Sequence, residues 1–418
     1  MSIPTTDPST VALDRQDERL IRQERGLRGA WSAFRRRVSG GDLGSLPVVI
    51  GLVIIWAVFQ VLNPFFLSAA NLANLALECA AVGTIAIGVV LVLLVAQIDL
   101  SIGSISGLAA AVLAFGFVLH TWPLWISLVA AILAGAIVGL IYGFIYTRFG
   151  VPSFVITLAG LMGFLGLQLL ILGTNGSINI PFSSWIVEFA QQMFLPPVVA
   201  YALIVVSAVL YGGSAYFVAR QRRAAGLSAT SLTEILIRSG LLLALLGVAV
   251  WYLNTNRGVG MMFVLFVALV VITNYALTRT KWGRSVYAIG GNVEAARRAG
   301  INVNRVFISV FVLGASFAAL GGILAAARLA SSSVSSGGGD TNLVAIAAAV
   351  IGGTSLFGGR GNAWSALLGI VVIQSIASGL TLLSLSSSIR FMITGAVLLL
   401  AVTIDSLSRR SRANHGQA

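Results

Sequence analysis

Cysteine and histidine are nearly absent: the 418 residues hold one cysteine, Cys79, and two histidines, His120 and His415, far apart in sequence. No internal disulfide can form, and no cysteine or histidine spacing suits a metal, so no metal site is expected. Charge is equally scarce, at 9% of residues against 58% hydrophobic ones. That balance excludes both a disordered chain and an ordinary soluble domain. There is no G-x-x-x-x-G-K-[ST] phosphate loop, no nucleophile elbow and no dense basic and aromatic patch for nucleic acid. The chain is therefore expected to carry no catalytic residue and no cofactor of its own, and to have no nucleic-acid partner.

What remains is apolar sequence in spanning lengths. The mean hydropathy is +0.97, and runs suited to crossing a bilayer recur near 46–63, 71–97, 100–119, 123–146, 152–173, 196–217, 235–253, 259–277, 306–327, 341–357, 363–383 and 389–406. The fold class is an all-α polytopic membrane protein of about twelve transmembrane helices, some of them broken. Forty-six glycines, with many alanines, serines and threonines inside the runs, let such helices approach closely.

The formal charge of +13 reads as topology. Residues 1–45 contain eight arginines and six acids with no apolar stretch, as befits a polar cytoplasmic tail rather than a cleavable signal. With that tail inside, all but Arg257, Arg328 and Arg390 of the 26 basic residues fall on the cytoplasmic side. Both termini are thus expected to be cytoplasmic, with 46–406 as the transmembrane domain and 407–418 as a second cytoplasmic tail. Outside, residues 174–195 are expected to hold a short interfacial helix. Residues 328–340, rich in serine and glycine, have the composition of a flexible linker.

The longest charged loop between spans runs from Arg279 to Arg305. Within it Asn292 is a good N-cap, Glu294 lies in the first turn, Arg297 and Arg298 lie in the last, and Gly300 suits a stop. A short helix over 293–299 is predicted, with Ala295, Ala296 and Ala299 as small side chains on which another surface could rest. That helix reads either as a docking element or simply as a capped turn in a loop.

"WGRSVYAIGGNVEAARRAGI", from Trp282 to Ile301, resembles the cytoplasmic loop of sugar-transport permeases of the ATP-binding-cassette class, the ribose, xylose, arabinose and galactose branch. "AQIDLSIGS", Ala96 to Ser104, resembles a second signature of that family, with Ala96 and Gln97 standing where the family has two glycines. "AVIGGTSLFGGRG", Ala349 to Gly361, resembles a third. An enlargement over about 214–258, a basic loop and an extra hydrophobic hairpin, is similar to the xylose-type members. The resemblance implies a permease subunit of an importer for a monosaccharide, a pentose such as xylose, working by alternating access in a bacterial cytoplasmic (inner) membrane. It further implies a separate ATPase subunit that uses the ATP, an external or periplasmic sugar-binding protein, and a second permease copy, in a homodimer. In that setting 279–305 is the coupling loop, with Gly291, Asn292, Glu294, Ala295, Ala296, Arg297 and Gly300 facing the ATPase.

Ionisable or polar residues inside apolar runs are costly and mark either a pathway or a paired structural site. Asp99, followed by Ser101 and Gly103 at a helix break, reads as a path residue or as the cap of a broken helix. Glu78 reads as a path residue or as an acid paired near the interface. Thr354, in "TSLFGGRG", joins Glu78, Asp99 and Ser101 as a candidate of the translocation path, although that glycine turn reads equally as a reverse turn anchored by Arg360. The rival function is an ion-coupled secondary transporter in which Asp99 and Glu78 take protons.

Overall fold

The computed structural model describes residues 46–386 and eight separate positions between 388 and 403. The expected span 389–406 is described only at seven of those positions, and the tails 1–45 and 407–418 lie outside the described residues. Among the described residues, nine helices are long and apolar enough to cross a membrane, and almost everything else is short helix or turn.

The chain divides into two compact units, Leu195–Gly258 and the sequence on either side of it. The larger unit begins with α1 (Leu46–Leu62), α2 (Ala69–Leu94), α3 (Ile102–Ala114, continued by a π-helical turn to Leu119), α4 (Leu124–Phe149) and α5 (Ser153–Leu172). A three-residue strand β1 (Ser177–Asn179) and the short helix α6 (Trp185–Gln191) follow. The smaller unit is a helical hairpin, α7 (Pro197–Ala224) and α8 (Leu232–Leu253). The larger unit resumes with α9 (Met261–Arg279), α10 (Lys281–Gly291), α11 (Val293–Arg298), α12 (Val303–Leu329), strand β2 (Ser331–Ser333), α13 (Gly339–Ile351) and α14 (Trp364–Leu382).

Helix α2 is the axis of the larger unit. From Cys79 onward it is apolar on nearly every side, which suits burial all round, and it packs against α12, α14, α13 and α9. Because lipid removes the hydrophobic drive for helices to associate, close approach through small residues replaces it. Gly135, Gly139 and Gly143 recur every four residues on one face of α4, against α12. A Cβ on Gly135 would lie 2.6 Å from the Ala319 Cβ, and one on Gly143 2.7 Å from the Ile308 Cα. At Gly139 the Phe311 carbonyl leaves still less room.

Two departures from the sequence expectation bear on function. Residues 328–340 are no flexible linker. Strand β2 pairs antiparallel with β1, Ser177 opposite Ser333 and Asn179 opposite Ser331. The Gln168 amide then donates to the Ser333 and Ser336 carbonyls at 2.9 and 3.0 Å. The serines and glycines serve close packing here, not mobility: Gly337 is wedged against Gly103 and Gly107 of α3. Second, the expected span 341–357 is a half-helix, α13, of 13 residues, about 20 Å where a bilayer core needs about 30. It starts beside the first turn of α3, where a Cβ on Gly103 would be 3.2 Å from the Asn342 Cβ.

In the smaller unit α7 runs unbroken from Pro197 to Ala224, so the residues expected to begin an insertion at 214 continue the preceding span. Its basic turn is closed by Arg222 Nε donating to the Ser228 carbonyl (2.7 Å) and the Arg223 guanidinium to that of Thr230 (3.0 Å), before Ser231 caps α8.

The α4 glycines provide a test of the packing argument. Gly139→Val should destabilise the protein by about 3 kcal/mol or more through overpacking. Gly163→Val on α5, where nothing lies within 4 Å, should change the unfolding temperature in detergent by little.

Candidate functional site

The loop 279–305 folds as two short helices rather than one. Sequence reading missed α10, whose signal is the spacing of Gly283, Val286 and Ile289, all buried on one side. Thr280 caps it, accepting from the Gly283 N–H at 3.1 Å. Trp282 Nε1 donates to Ser309 Oγ at 2.8 Å and ties α10 to α12. Helix α11 follows with Asn292 as N-cap, its side chain accepting from the Ala295 N–H at 2.9 Å. Gly300, at φ +81°, ends it in a conformation that favours glycine.

Gly291, Asn292, Glu294, Ala295, Arg297 and Gly300 are all exposed on this module, and Glu294 pairs with Arg297 at 2.7 Å. Ala296 is not part of that surface: at 3% exposure it points into the protein. Adjacent residues on a helix diverge by about 100°, so Ala295 and Ala299 share the outer face while Ala296 turns inward.

The three motifs spread along the sequence meet behind this surface. The Gly359 N–H donates to the Leu94 carbonyl at 2.9 Å. A Cβ on Gly290 would lie 2.5 Å from the Gly359 nitrogen, and one on Gly358 2.7 Å from the Ala96 Cβ. Tyr287 Oη donates to the Gly361 carbonyl at 2.8 Å, and burial pushes its pKa up, so the phenol stays a donor well beyond neutral pH. Thr354 is buried against Gly361, and its hydroxyl has no protein partner. Ala96 is held at φ +57°, where glycine is at ease and alanine is strained. Of the two residues that stand where the resembling pattern has glycine, Ala96 and Gln97, Ala96 is in the backbone state that favours glycine.

Beyond Ala96 the chain stays non-helical to Ser101. Asp99 is buried, and its Oδ1 accepts from the Ser101 N–H (2.8 Å) and Ser101 Oγ (2.7 Å) at the start of α3. Tyr142 Oη donates to Ser101 Oγ at 2.7 Å. The Leu100 N–H reaches Thr157 Oγ1 at 3.1 Å, and Asn342 Nδ2 donates to the Leu100 carbonyl at 2.6 Å. Asp99 and Ser101 therefore sit together in a side-chain-closed turn just before α3, an acid near a helix N-terminus. Glu78 is elsewhere: its Oε1 meets Arg328 at 2.9 Å and its Oε2 accepts from Gln374 at 3.4 Å. It lies sixteen residues, about 24 Å, before the end of α2. Tyr142, Thr157, Asn342, Arg328 and Gln374 are the partners that sequence reading missed. Their signal was present, polar side chains in apolar runs.

The family model described as "Branched-chain amino acid transport system / permease component" matches residues 71–402. The chain belongs to this permease family. It is similar to the xylose transport system permease protein of Escherichia coli K12, 36% identical over 345 residues, 82% of this chain and 87% of the relative. The corresponding Haemophilus influenzae protein is 33% identical over 366 residues, 87% and 96% of the two chains. The ribose import permease protein of Bacillus subtilis is 32% identical over 365, 87% and 94%. No solved structure matches the chain. These relatives bear the names of transport permeases and not of enzymes, as the sequence led one to expect. The family match contains all three motifs and the whole of the convergence described above.

The strain at Ala96 can be measured on this permease. Ala96→Gly should stabilise it by about 1 kcal/mol, by removing a left-handed alanine, seen as a higher midpoint of thermal unfolding in detergent.

Proposed function

We propose that the chain is the permease subunit of an ATP-driven importer for a monosaccharide, a pentose such as xylose, in a bacterial cytoplasmic membrane. The observation that carries this is the similarity to a xylose transport system permease over 82% of the chain. The exposed, capped helix α11 supports it from the side of mechanism. A separate ATPase subunit docks on α10 and α11, an external sugar-binding protein delivers the substrate, and two copies of the permease enclose the path. Closure of the ATPase moves the α10–α11 module, and through it the turn at Gly358–Gly359 and the break at Ala96–Ser101, switching the path between outward and inward access. Asp99 then acts as a positioning residue, holding the first turn of α3. Nothing favours ion coupling through Asp99 and Glu78, which are far apart and each bound to its own partners.

In proteoliposomes holding the permease with its ATPase and binding protein, xylose uptake should require ATP inside the ATPase-facing compartment. Uphill uptake by the permease alone, driven by a pH gradient, would refute the reading. Within the working complex, Ala295→Glu should cut sugar uptake about tenfold or more by placing a charge in the docked face, with the permease still inserted and folded. Ala296→Glu should instead lower the yield of folded protein, since it buries an unpaired carboxylate.

A further inference from the structure

The outer half of α2 carries a polar stripe that the coupling machinery leaves unused. Asn71, Asn74 and Glu78 follow at i, i+3 and i+7, one side of a helix, and none of the three is fully buried. Helix α14 faces them with Ser378, whose Oγ donates to Asn71 Oδ1 at 3.1 Å, and with Gln374, which reaches Glu78. Helix α12 contributes Arg328, 2.9 Å from Glu78. Inward of this level α2 is apolar and buried.

The side chains of Glu78 and Arg328 are 31% and 29% exposed, and Glu78 lies nine residues, about 13 Å, inside the helix start. Charged groups at that depth do not face lipid; they face protein or water. Their open sides therefore face protein or water, and Arg328, one residue from the end of α12, sets them toward the side on which that helix ends.

We propose that these open sides line a water-filled recess, a vestibule binding site for an uncharged, polyhydroxylated solute, formed by Glu78, Arg328 and Gln374 with Asn74 at its entrance. The ion pair carries no net charge, so it does not select an ion of one sign. A carboxylate that can accept several hydroxyls stands next to a guanidinium and an amide that can donate to hydroxyl oxygens. That pairing of acceptor and donors suits vicinal hydroxyls. The inference rests on the import function proposed above, and deepens it by naming where the substrate is first held after release from its carrier.

The chain's one cysteine is buried, so a single introduced thiol can be followed in the full complex in nanodiscs. Gln374→Cys, and Asn74→Cys as a second position, should react with a sulfonated methanethiosulfonate at least about tenfold faster than Ile137→Cys, an apolar exposed position on α4, because a thiol in lipid stays protonated and unreactive. Saturating D-xylose should slow that reaction several-fold where glycine betaine does not. Labelling at both positions no faster than at Ile137→Cys, or labelling that xylose leaves unchanged in every nucleotide state, would overturn the vestibule. If labelling is fast and protected by xylose while the same complex shows no ATP-driven uptake, the site stands and the transport reading falls.

Discussion

Backbone that leaves the helix inside a membrane must find its hydrogen bonds within the protein, since lipid offers none. That constraint governs the segment between Leu94 and Ile102. Its groups are met one by one: Leu100 by Thr157 and Asn342, and Ser101 by Asp99 with Tyr142 behind it. The loop after α12 obeys the same rule, its carbonyls at Ser333 and Ser336 served by Gln168. Since the partners come from α4, α5 and α13, the break holds four helices in register. Removing Thr157 or Asn342 leaves a Leu100 backbone group without its partner.

Once this break is in place, a movement of the α10–α11 module would have something to act on. Gly290 abuts the end of α2, Gly359 bonds to Leu94, and Gly358 touches Ala96, the residue from which the irregular segment departs. A shift of α10 cannot be absorbed by side-chain rearrangement there, because glycine contacts place backbone against backbone. Packed backbone transmits displacement where flexible side chains would dissipate it.

Much of this was legible beforehand, for reasons that differ by residue. The spans followed from apolar length, and α11 from Asn292, Glu294 and Gly300, since caps are local chemistry. The half-helix α13 was not visible, because "NLVAIAAAVIGG" has a composition that fits either a full crossing or half of one. The serine and glycine tract at 331–338 misled because the same small residues serve loose linkers and tight packing, and only the facing glycines of α3 distinguish the two. Asp99 was recognised as costly and its partner Ser101 is local, but Tyr142 behind Ser101 and Thr157 beside Leu100 stand 43 and 58 residues from Asp99, beyond any local pattern.

The inward turn of Ala296 makes the proposed docking surface more than a passive platform. With Ala296 buried and Ala295 and Ala299 outside, α11 is clamped on one face by the larger unit while offering the other. A six-residue helix has little stability of its own, so it holds its shape only through that inner contact and its cap at Asn292. A partner pressing on Ala295 and Ala299 therefore presses, through Ala296, on the body of the protein. The same small residue type is used twice, once to admit a partner closely and once to seat the helix without a gap. Any force applied to α11 is thereby delivered to α10 and α12 together, and α10 carries it to the glycine contacts at the break.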